Sequence, residues 1–427
     1  MDANRFATKS LNDPRILRIL SAALDAVDPY IAVKNHLPRV TGDVYALAIG
    51  KAAIPMMTAL AESIPLTGAL AISKHASPPP SSLFPLLLSG HPIPDARSVH
   101  AGERALEFVS SLKEDDTLVC LISGGGSALM TAPLIPLEEL QAITASLLSC
   151  GATINEINTI RRHLDRVKGG GLARATKANI ISLILSDVIS NLLEAIASGP
   201  TAPDPTTRED ALRILDKYFA TEPQRHRDLN FIDSATQRLS GNFVKPSDEN
   251  FSHVQNIIIG DNKLAAQAAL KQAQREGFDS EILTNELQGE AREVGIMLAN
   301  RLRDEAAKRP HPFCLIAGGE TTVTIKGNGK GGRNQELALA AVNELRGLSN
   351  VMLIALATDG DDGPTDAAGA VVTGESAERA ERLGLSAADS LSRNDSYPFF
   401  ESLGDLIKTG PSRTNVNDLI FLFGLSG

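Results

Sequence analysis

The sequence predicts an α/β protein of two domains, in which strands that are apolar along their whole length alternate with amphipathic helices. Three observations carry this. Val44-Tyr-Ala-Leu-Ala-Ile49, Thr117-Leu-Val-Cys-Leu-Ile122 and Val351-Met-Leu-Ile-Ala-Leu-Ala357 are apolar without alternation, the pattern of strands covered on both faces in a mostly parallel sheet. Each run ends in glycine, small polar or charged residues and leads toward a helical stretch or a turn. At 427 residues the chain is long enough for two domains with separate cores. The polar residues 239–255 are the expected boundary, giving one domain over 1–240 and a second over 254–427.

In chain order, residues 14–27 repeat apolar side chains at helical spacing (Ile16, Leu17, Ile19, Leu20, Leu24) behind Asn12-Asp13-Pro14, a helix-start signal. The strand at 44–49 runs into Gly50-Lys51 and a helix. A strand near 69–72 leads to the loop Ser77-Pro-Pro-Pro80, and Leu86-Leu-Leu88 runs into Ser-Gly-His-Pro-Ile-Pro-Asp95 and a helix over 98–110. Strand 117–122 ends in Ser123-Gly-Gly-Gly-Ser127. Helices over 137–148 and 155–168 follow, the second closed by Gly169-Gly-Gly171, and strand 180–185 ends in Ser186-Asp187-Val188. In the second half, strand 254–259 and helices over 263–276 and 298–308 precede the apolar run 313–317. That run stops at Gly318-Gly-Glu-Thr-Thr322, extended character resumes over 323–325, and the loop Gly327-Asn-Gly-Lys-Gly-Gly-Arg-Asn-Gln-Glu336 opens a helix over 337–345. Strand 351–357 then enters the acidic loop Thr358-Asp-Gly-Asp-Asp-Gly-Pro-Thr-Asp366, and the tail closes on the apolar residues 419–423.

Composition narrows the function. The net charge is −10, tryptophan is absent and tyrosine numbers four, so there is neither a basic footprint nor a set of stacking platforms for nucleic acid. The three cysteines lack metal-ligand spacing, and Cys120 and Cys314 sit inside apolar strands as small hydrophobes. No apolar run approaches the length of a membrane span and the N-terminus has no signal-peptide pattern, so a cytoplasmic protein with no membrane partner is expected.

In folds of this class ligands bind beyond the carboxyl ends of the strands. Gly50-Lys51, the turn Ser123, Gly124, Gly125, Gly126, Ser127, then Asp187, Gly318-Gly319-Glu320 and Asp359 all fall at such ends. A glycine turn frees consecutive backbone N–H groups for an anion. Lys51 stands just past a buried strand, where an ammonium is awkward without an anion. Arg333 follows two glycines at a helix start, where its planar fork suits two phosphate oxygens, and Lys330 lies three residues before it. Asp359, Asp361, Asp362 and Asp366 offer hard oxygen ligands; Asp359, nearest the strand, is the expected Mg²⁺ ligand and the rest are expected to be solvated. Asp187 is a base or a ligand. His91 and His163 are lone histidines with a structural reading, and the cations of Arg161-Arg-His-Leu-Asp-Arg166 read as a solvated face.

These motifs, in this order, resemble the class II glycerate kinases (glycerate 2-kinases). The resemblance runs nearly the full length, through Ala48-Ile-Gly-Lys-Ala-Ala53, Gly90-His-Pro-Ile-Pro-Asp95, Ile122-Ser-Gly-Gly-Gly-Ser-Ala128, Lys168-Gly-Gly-Gly-Leu172, Ser186-Asp-Val188 and Ala197-Ser-Gly-Pro-Thr201. It continues in Gly318-Gly-Glu-Thr-Thr322, Gly329-Lys-Gly-Gly-Arg-Asn-Gln-Glu336, Thr358-Asp-Gly360, Asn394-Asp-Ser396 and Thr414-Asn-Val416. It implies a larger Rossmann-like N-terminal domain and a smaller α/β C-terminal domain with the active site in the cleft between them. It also implies ATP- and Mg²⁺-dependent phosphorylation of D-glycerate to 2-phosphoglycerate, in a monomer or homodimer. Lys51, Arg333 and Asp187 are then catalytic, Asp359 holds metal, and Ser123–Ser127, Gly318, Gly319, Glu320 and Lys330 bind the nucleotide.

Two positions depart from the family's pattern. Ser190-Asn191 stands where a Gly-Asp pair is common, which removes an aspartate or shifts its role to Glu194, and Pro398 replaces what is often a histidine. Two other functions fit the residues. Gly327-x-Gly-x-x-Gly332 with Asp359 at the next strand end is formally a dinucleotide fingerprint, hence an NAD(P)H-dependent hydroxypyruvate reductase. A non-catalytic nucleotide-binding protein is the other.

Overall fold

Long apolar runs with no polar face have to be covered from both sides, and the chain solves this twice. The computed structural model describes residues 2–74, 84–220, 230–240 and 251–426, so the proline loop at 77–80 lies outside the described residues. Two compact units emerge, residues 32–259 and residues 1–31 together with 260–427.

The unit of residues 32–259 holds a six-stranded sheet of β1 (Val44–Ile49), β2 (Gly68–Ser73), β3 (Leu86–Leu88), β4 (Thr117–Ile122), β5 (Asn179–Leu185) and β6 (Val254–Gly260), in the order β3-β2-β1-β4-β5-β6. The pairs β1–β2, β2–β3, β1–β4 and β4–β5 are parallel. This is the doubly wound order, and its direction reverses between β1 and β4. Ile49, Ile122 and Ile184 lie side by side in one row, so Lys51, Ser123 and Asp187 leave the same edge of the sheet. A separate helical cluster, with Leu140, Ile143, Ile160 and Leu215 at its centre, packs among helices Leu137–Ser149, Ile154–His163 and Arg208–Leu215.

The other unit has a second six-stranded sheet: β7 (Asp279–Leu287), β8 (Phe313–Gly319), β9 (Val351–Ala357), β10 (Gly369–Thr373), β11 (Leu406–Ile407) and β12 (Asp418–Gly424), in the order β11-β10-β9-β12-β8-β7. Only β7–β8 is parallel; the other pairs are antiparallel. The expectation of mostly parallel sheets therefore holds for the first sheet and not for the second. The apolar tail is the reason: β12 slots between β8 and β9, antiparallel to both, and β10 returns from the acidic loop without a crossover helix. Because β8 and β9 run the same way, their carboxyl ends flank the start of β12, and Gly319, Asp418 and Ala357 sit in one row.

The compact units do not follow the boundary expected at 240–254. Strand β6 completes the first sheet instead of opening a second domain. The N-terminal helix Pro14–Asp25, capped by the Asp13 side chain, packs with the C-terminal residues. Arg18 pairs with Glu276 at 2.6 Å, the Val27 carbonyl accepts from Thr414 Oγ1 at 2.8 Å, and the buried Asp405 accepts from Ser10 N at 2.9 Å. Helical spacing shows that one face is buried but not against which partner. The expected extended segment 323–325 also fails to join the sheet; Thr322 makes an isolated bridge with Glu290, and Ile325 is exposed. Among the described residues no helix is long and apolar enough to cross a membrane.

Candidate functional site

At the reversal point of the first sheet, two turns interlock. Gly50 has φ +117°, and a Cβ there would run into the side chain and carbonyl of Ser123. Lys51 N donates to the Gly124 carbonyl at 2.9 Å, and Ala52 N donates to Ser123 Oγ at 3.0 Å, while that hydroxyl donates to the Ile49 carbonyl. Ser123 is thereby a buried strut that holds Lys51 beside the turn. The turn itself is open. Among the described residues the N–H groups of Gly124, Gly125, Gly126 and Ser127 have no protein acceptor, although Gly124 and Gly126 are buried. Buried backbone N–H groups are almost always paired, so a run of donors without a protein acceptor is open to an anion or to water. The helix that follows, Gly126–Leu129, has four residues, so the expected helix dipole contributes little.

Three neighbours of this turn come from distant sequence. A Cβ on Gly125 would meet His91 Nε2 at 3.1 Å and Lys51 Cγ at 3.5 Å, so the histidine read as structural stands against the turn. Its signal was available, since Gly90-His91 follows β3 as Gly50-Lys51 follows β1. Ser127 Oγ lies 2.7 Å from Ser198 Oγ, and Ala197, Ser198 and Gly199 are all left-handed, with φ of 51°, 60° and 61°. Strain in non-glycine residues concentrates at functional sites. Arg161 Nη2 donates to the Ser127 carbonyl at 3.3 Å.

Of the cations expected to form a solvated face, Arg166 is exposed and Arg162 and His163 are internal, as is Lys168 beyond them. Arg162 pairs with Asp204 at 2.9 Å, and His163 Nε2 lies 3.1 Å from the Thr206 carbonyl. Lys168, 2% exposed, is held by Asp165 at 2.5 Å, Thr131 Oγ1 and the Met130 carbonyl. Asp187 is half-buried just past β5. Ser190 and Asn191, the departure from the family pattern, take φ of 66° and 55°, the region a glycine enters freely.

At the edge of the second sheet, Arg333 opens the helix Arg333–Glu344 and its fork is occupied. Nε and Nη2 donate to the two Asp418 oxygens at 2.6 and 3.1 Å, and Nη1 donates to Glu320 at 2.5 Å. Burial works against the Arg333 charge, but the Asp418 carboxylate outweighs it and holds the guanidinium pKa above its ordinary value. Asp418, 2% exposed, escaped the sequence reading; its signal was a carboxylate placed directly before a five-residue apolar run. Asn262 Nδ2 fixes the start of β12 by donating to the Val416 and Asp418 carbonyls, both at 2.9 Å. Asp359 is half-buried just past β9, and its charge is felt at Asp418. Gly318 and Gly319 are buried against Asn262 and Leu287, and Glu320 N donates to the Leu287 carbonyl at 2.8 Å.

The remaining acidic residues divide by role instead of being uniformly solvated. Asp362 is 1% exposed and caps the helix from outside it, accepting from Asn334 N at 3.1 Å and Gln335 N at 2.8 Å, where Gly332 has no side chain to do so. Burial pushes its pKa up to about 6, against the pull of those N–H groups. Asp366 accepts from Tyr397 Oη at 2.6 Å and lies 3.3 Å from Lys408 Nζ. Among the described residues no three His, Cys, Asp or Glu side chains gather as a metal cluster.

The glycine-basic loop has a different use from the one its sequence suggests. Lys326 N and Gly327 N donate to Asn394 Oδ1 at 2.7 and 3.0 Å, Gly329 N to the Arg393 carbonyl at 2.9 Å, and Lys330 N to Asp395 Oδ1 at 2.9 Å. Its glycines let the backbone lie against residues 393–396, and Lys330 Nζ sits 3.8 Å from the Tyr397 ring centroid. Four of the loop's N–H groups are thus turned to the protein, and those of Asn328, Gly331 and Gly332 have no acceptor among the described residues.

With this geometry in hand, relatedness bears on function. The family described as a domain of unknown function (DUF4147) matches residues 15–229, and the MOFRL family matches residues 313–418. A D-glycerate 2-kinase of Thermotoga maritima is 41% identical over 95% of this chain and 96% of its own length. A glycerate 2-kinase of Pyrococcus horikoshii is 39% identical over 95% of both chains. The crystal structure of a glycerate kinase from Thermotoga maritima superposes with a TM-score of 0.86, covering 96% of this chain and 98% of that one at 41% identity.

Proposed function

Because the chain belongs to the glycerate 2-kinase family, we propose that it transfers the γ-phosphoryl group of ATP to the 2-hydroxyl of D-glycerate, giving 2-phosphoglycerate and ADP. The observation that carries this reading is the run of acceptor-less N–H groups at 124–127 beside Lys51, a seat for an oxyanion at the reversal point of a doubly wound sheet.

Phosphoryl transfer asks a protein mainly to position groups and neutralise charge. Lys51, placed by the Gly50–Ser123 interlock, supplies positive charge to the transferring group. Arg333 supplies a second, always-charged donor set; the Asp418 clamp fixes the plane of its guanidinium and leaves N–H groups of Nη1 and Nη2 for phosphate oxygens. Glu320 is the exchangeable partner, since it is more exposed than Asp418 and holds a single nitrogen. Asp187 orients the acceptor hydroxyl or takes its proton. Lys330, anchored over Tyr397, adds charge for the nucleotide.

The residues also fit Mg²⁺, which binds through one or two carboxylates plus phosphate oxygens. Asp418 serves Arg333 and Asp362 serves the helix, so Asp359 is the residue proposed to hold the ion. When bound, Mg²⁺ neutralises nucleotide phosphate charge. The test is direct: purified protein with ATP, Mg²⁺ and D-glycerate yields ADP and 2-phosphoglycerate, read by coupling to enolase, and EDTA abolishes the reaction. Oxidation of NADPH by hydroxypyruvate without ATP turnover would instead establish the reductase.

A further inference from the structure

Four arginines and lysines lie in 161–168, with His163 among them, and three of the four have a carboxylate at ion-pair distance: Arg162 has Asp204, Arg166 has Glu103, and Lys168 has Asp165. Arg161 is the exception. Among the described residues its hydrogen bond is to a neutral acceptor, the Ser127 carbonyl, at 3.3 Å. Asp165 acts on it only at longer range, and that carboxylate is already hydrogen-bonded to Lys168, Thr131 and the Val167 N–H. Arg161 is half-buried with no paired carboxylate among the described residues, and burial draws its pKa below the ordinary arginine value. One hydrogen bond also leaves most of its five donors uncommitted to protein.

Its position gives this charge a use. The Ser127 carbonyl that it holds belongs to the last residue of the open turn, whose own N–H is one of the four without an acceptor. Ser127 Oγ and the buried, left-handed Ser198 add hydroxyls at the same point. A guanidinium and short hydroxyls beside these backbone N–H groups, with Lys51 also against the turn, make a seat for an oxyanion. Lys51 is left to the transferring phosphoryl group, and one guanidinium with neutral donors matches the single charge of a carboxylate.

We infer that Arg161 anchors the carboxylate of the 2-hydroxy acid acceptor, with the N–H groups of the 124–127 turn receiving the same carboxylate. This rests on the kinase reading above and deepens it by assigning which oxyanion the turn takes. A carboxylate fixed here places the adjacent secondary hydroxyl, one carbon away, at a defined distance, which is how a kinase selects the 2-position over the 3-position.

The experiment compares wild type, Arg161→Ala and Arg161→Lys, with KM measured separately for D-glycerate and for ATP and folding followed by thermal melting. The expected result for Arg161→Ala is a KM for D-glycerate raised by about 10²-fold, the loss of a charged hydrogen-bonded pair, with KM for ATP within about twofold. Millimolar guanidinium should recover part of the loss, and Arg161→Lys should fall between. Should the alanine variant fail to fold, the lysine variant carries the same comparison. A raised KM for ATP with D-glycerate unaffected assigns the arginine to a nucleotide phosphate and overturns the proposal. Unchanged KM values, or a loss that guanidinium cannot rescue and that tracks melting temperature, make Arg161 a packing residue and overturn it too. Failure of the wild type to form 2-phosphoglycerate defeats the kinase reading itself, before any variant is made.

Discussion

The turn at 123–127 and the loop at 326–332 look alike in composition, and they put their glycines to opposite uses. In the first, glycine keeps backbone N–H groups clear of the protein, and four of them have no acceptor among the described residues. In the second, glycine lets one backbone lie on another: four N–H groups end on residues 393–395, and only those of Asn328, Gly331 and Gly332 are left without an acceptor among the described residues. The first is edged by side chains from distant segments, Lys51, His91 and Arg161; the second is a support that carries Lys330 and leads into Arg333. Each stretch has a left-handed non-glycine neighbour: Ala197 and Ser198 against the open turn, and Asn394 as the acceptor for the supporting loop. A glycine-rich motif thus reports close backbone approach, and only the hydrogen-bond inventory tells whether a ligand or the protein makes it.

The largest effect is expected where the supporting loop delivers its charge. Arg333→Lys keeps the charge but cannot grip Asp418 with two nitrogens while reaching a phosphate, so kcat should fall by about 10²-fold or more with the circular dichroism spectrum unchanged. Turnover near the wild-type value would remove Arg333 from the chemistry.

If the loop is a support, cutting its hydrogen bonds should affect stability and not substrate affinity. Asn394→Ala removes the acceptor of Lys326 N and Gly327 N and the donor to Glu336 Oε2. Urea unfolding should show a loss of about 2–3 kcal/mol, with both KM values within about threefold. A large rise in KM for ATP at full stability would return the loop to the status of a phosphate cradle.

The acidic loop separates in the same way. Asp359→Asn should raise the Mg²⁺ concentration giving half-maximal rate, and Asp362→Asn should not. Asp362 should instead appear in stability. Its folded pKa of about 6 lies above that of an unfolded aspartate, so the folded state holds the extra proton between roughly pH 4 and 6. Its contribution therefore favours folding at the acid end of that window and is lost as pH rises through 6. Asp362→Asn should flatten this component of the urea-unfolding profile between pH 4 and 7; an unaltered slope would show that the carboxyl is ionised throughout.

The smallest effect concerns backbone strain just past β5. Ser190→Gly replaces a left-handed serine by the residue that pays least for that conformation, against a larger loss of chain entropy. The net expected change is a stabilisation of no more than about 1 kcal/mol, read as a small rise in melting temperature; destabilisation would mean that the Ser190 side chain holds the segment.

Periodicity and polarity along the chain were enough to place most central strands, the start of the N-terminal helix at Asp13-Pro14 and the strand-end positions of Lys51, Ser123, Asp187 and Asp359, because each is a local property. A buried strand must be apolar and a ligand group must follow its end, and both leave marks within a dozen residues. What local pattern could not carry is partnership. That the tail strand divides β8 from β9, that the N-terminal helix packs with the C-terminal residues, that β6 closes the first sheet and that Asp418 clamps Arg333 are pairings across long sequence separations. The same holds for the two glycine stretches and for Arg161 among its neighbours. Whether an N–H or a guanidinium has an acceptor depends on which remote segment comes to lie beside it, and only the tertiary structure decides that.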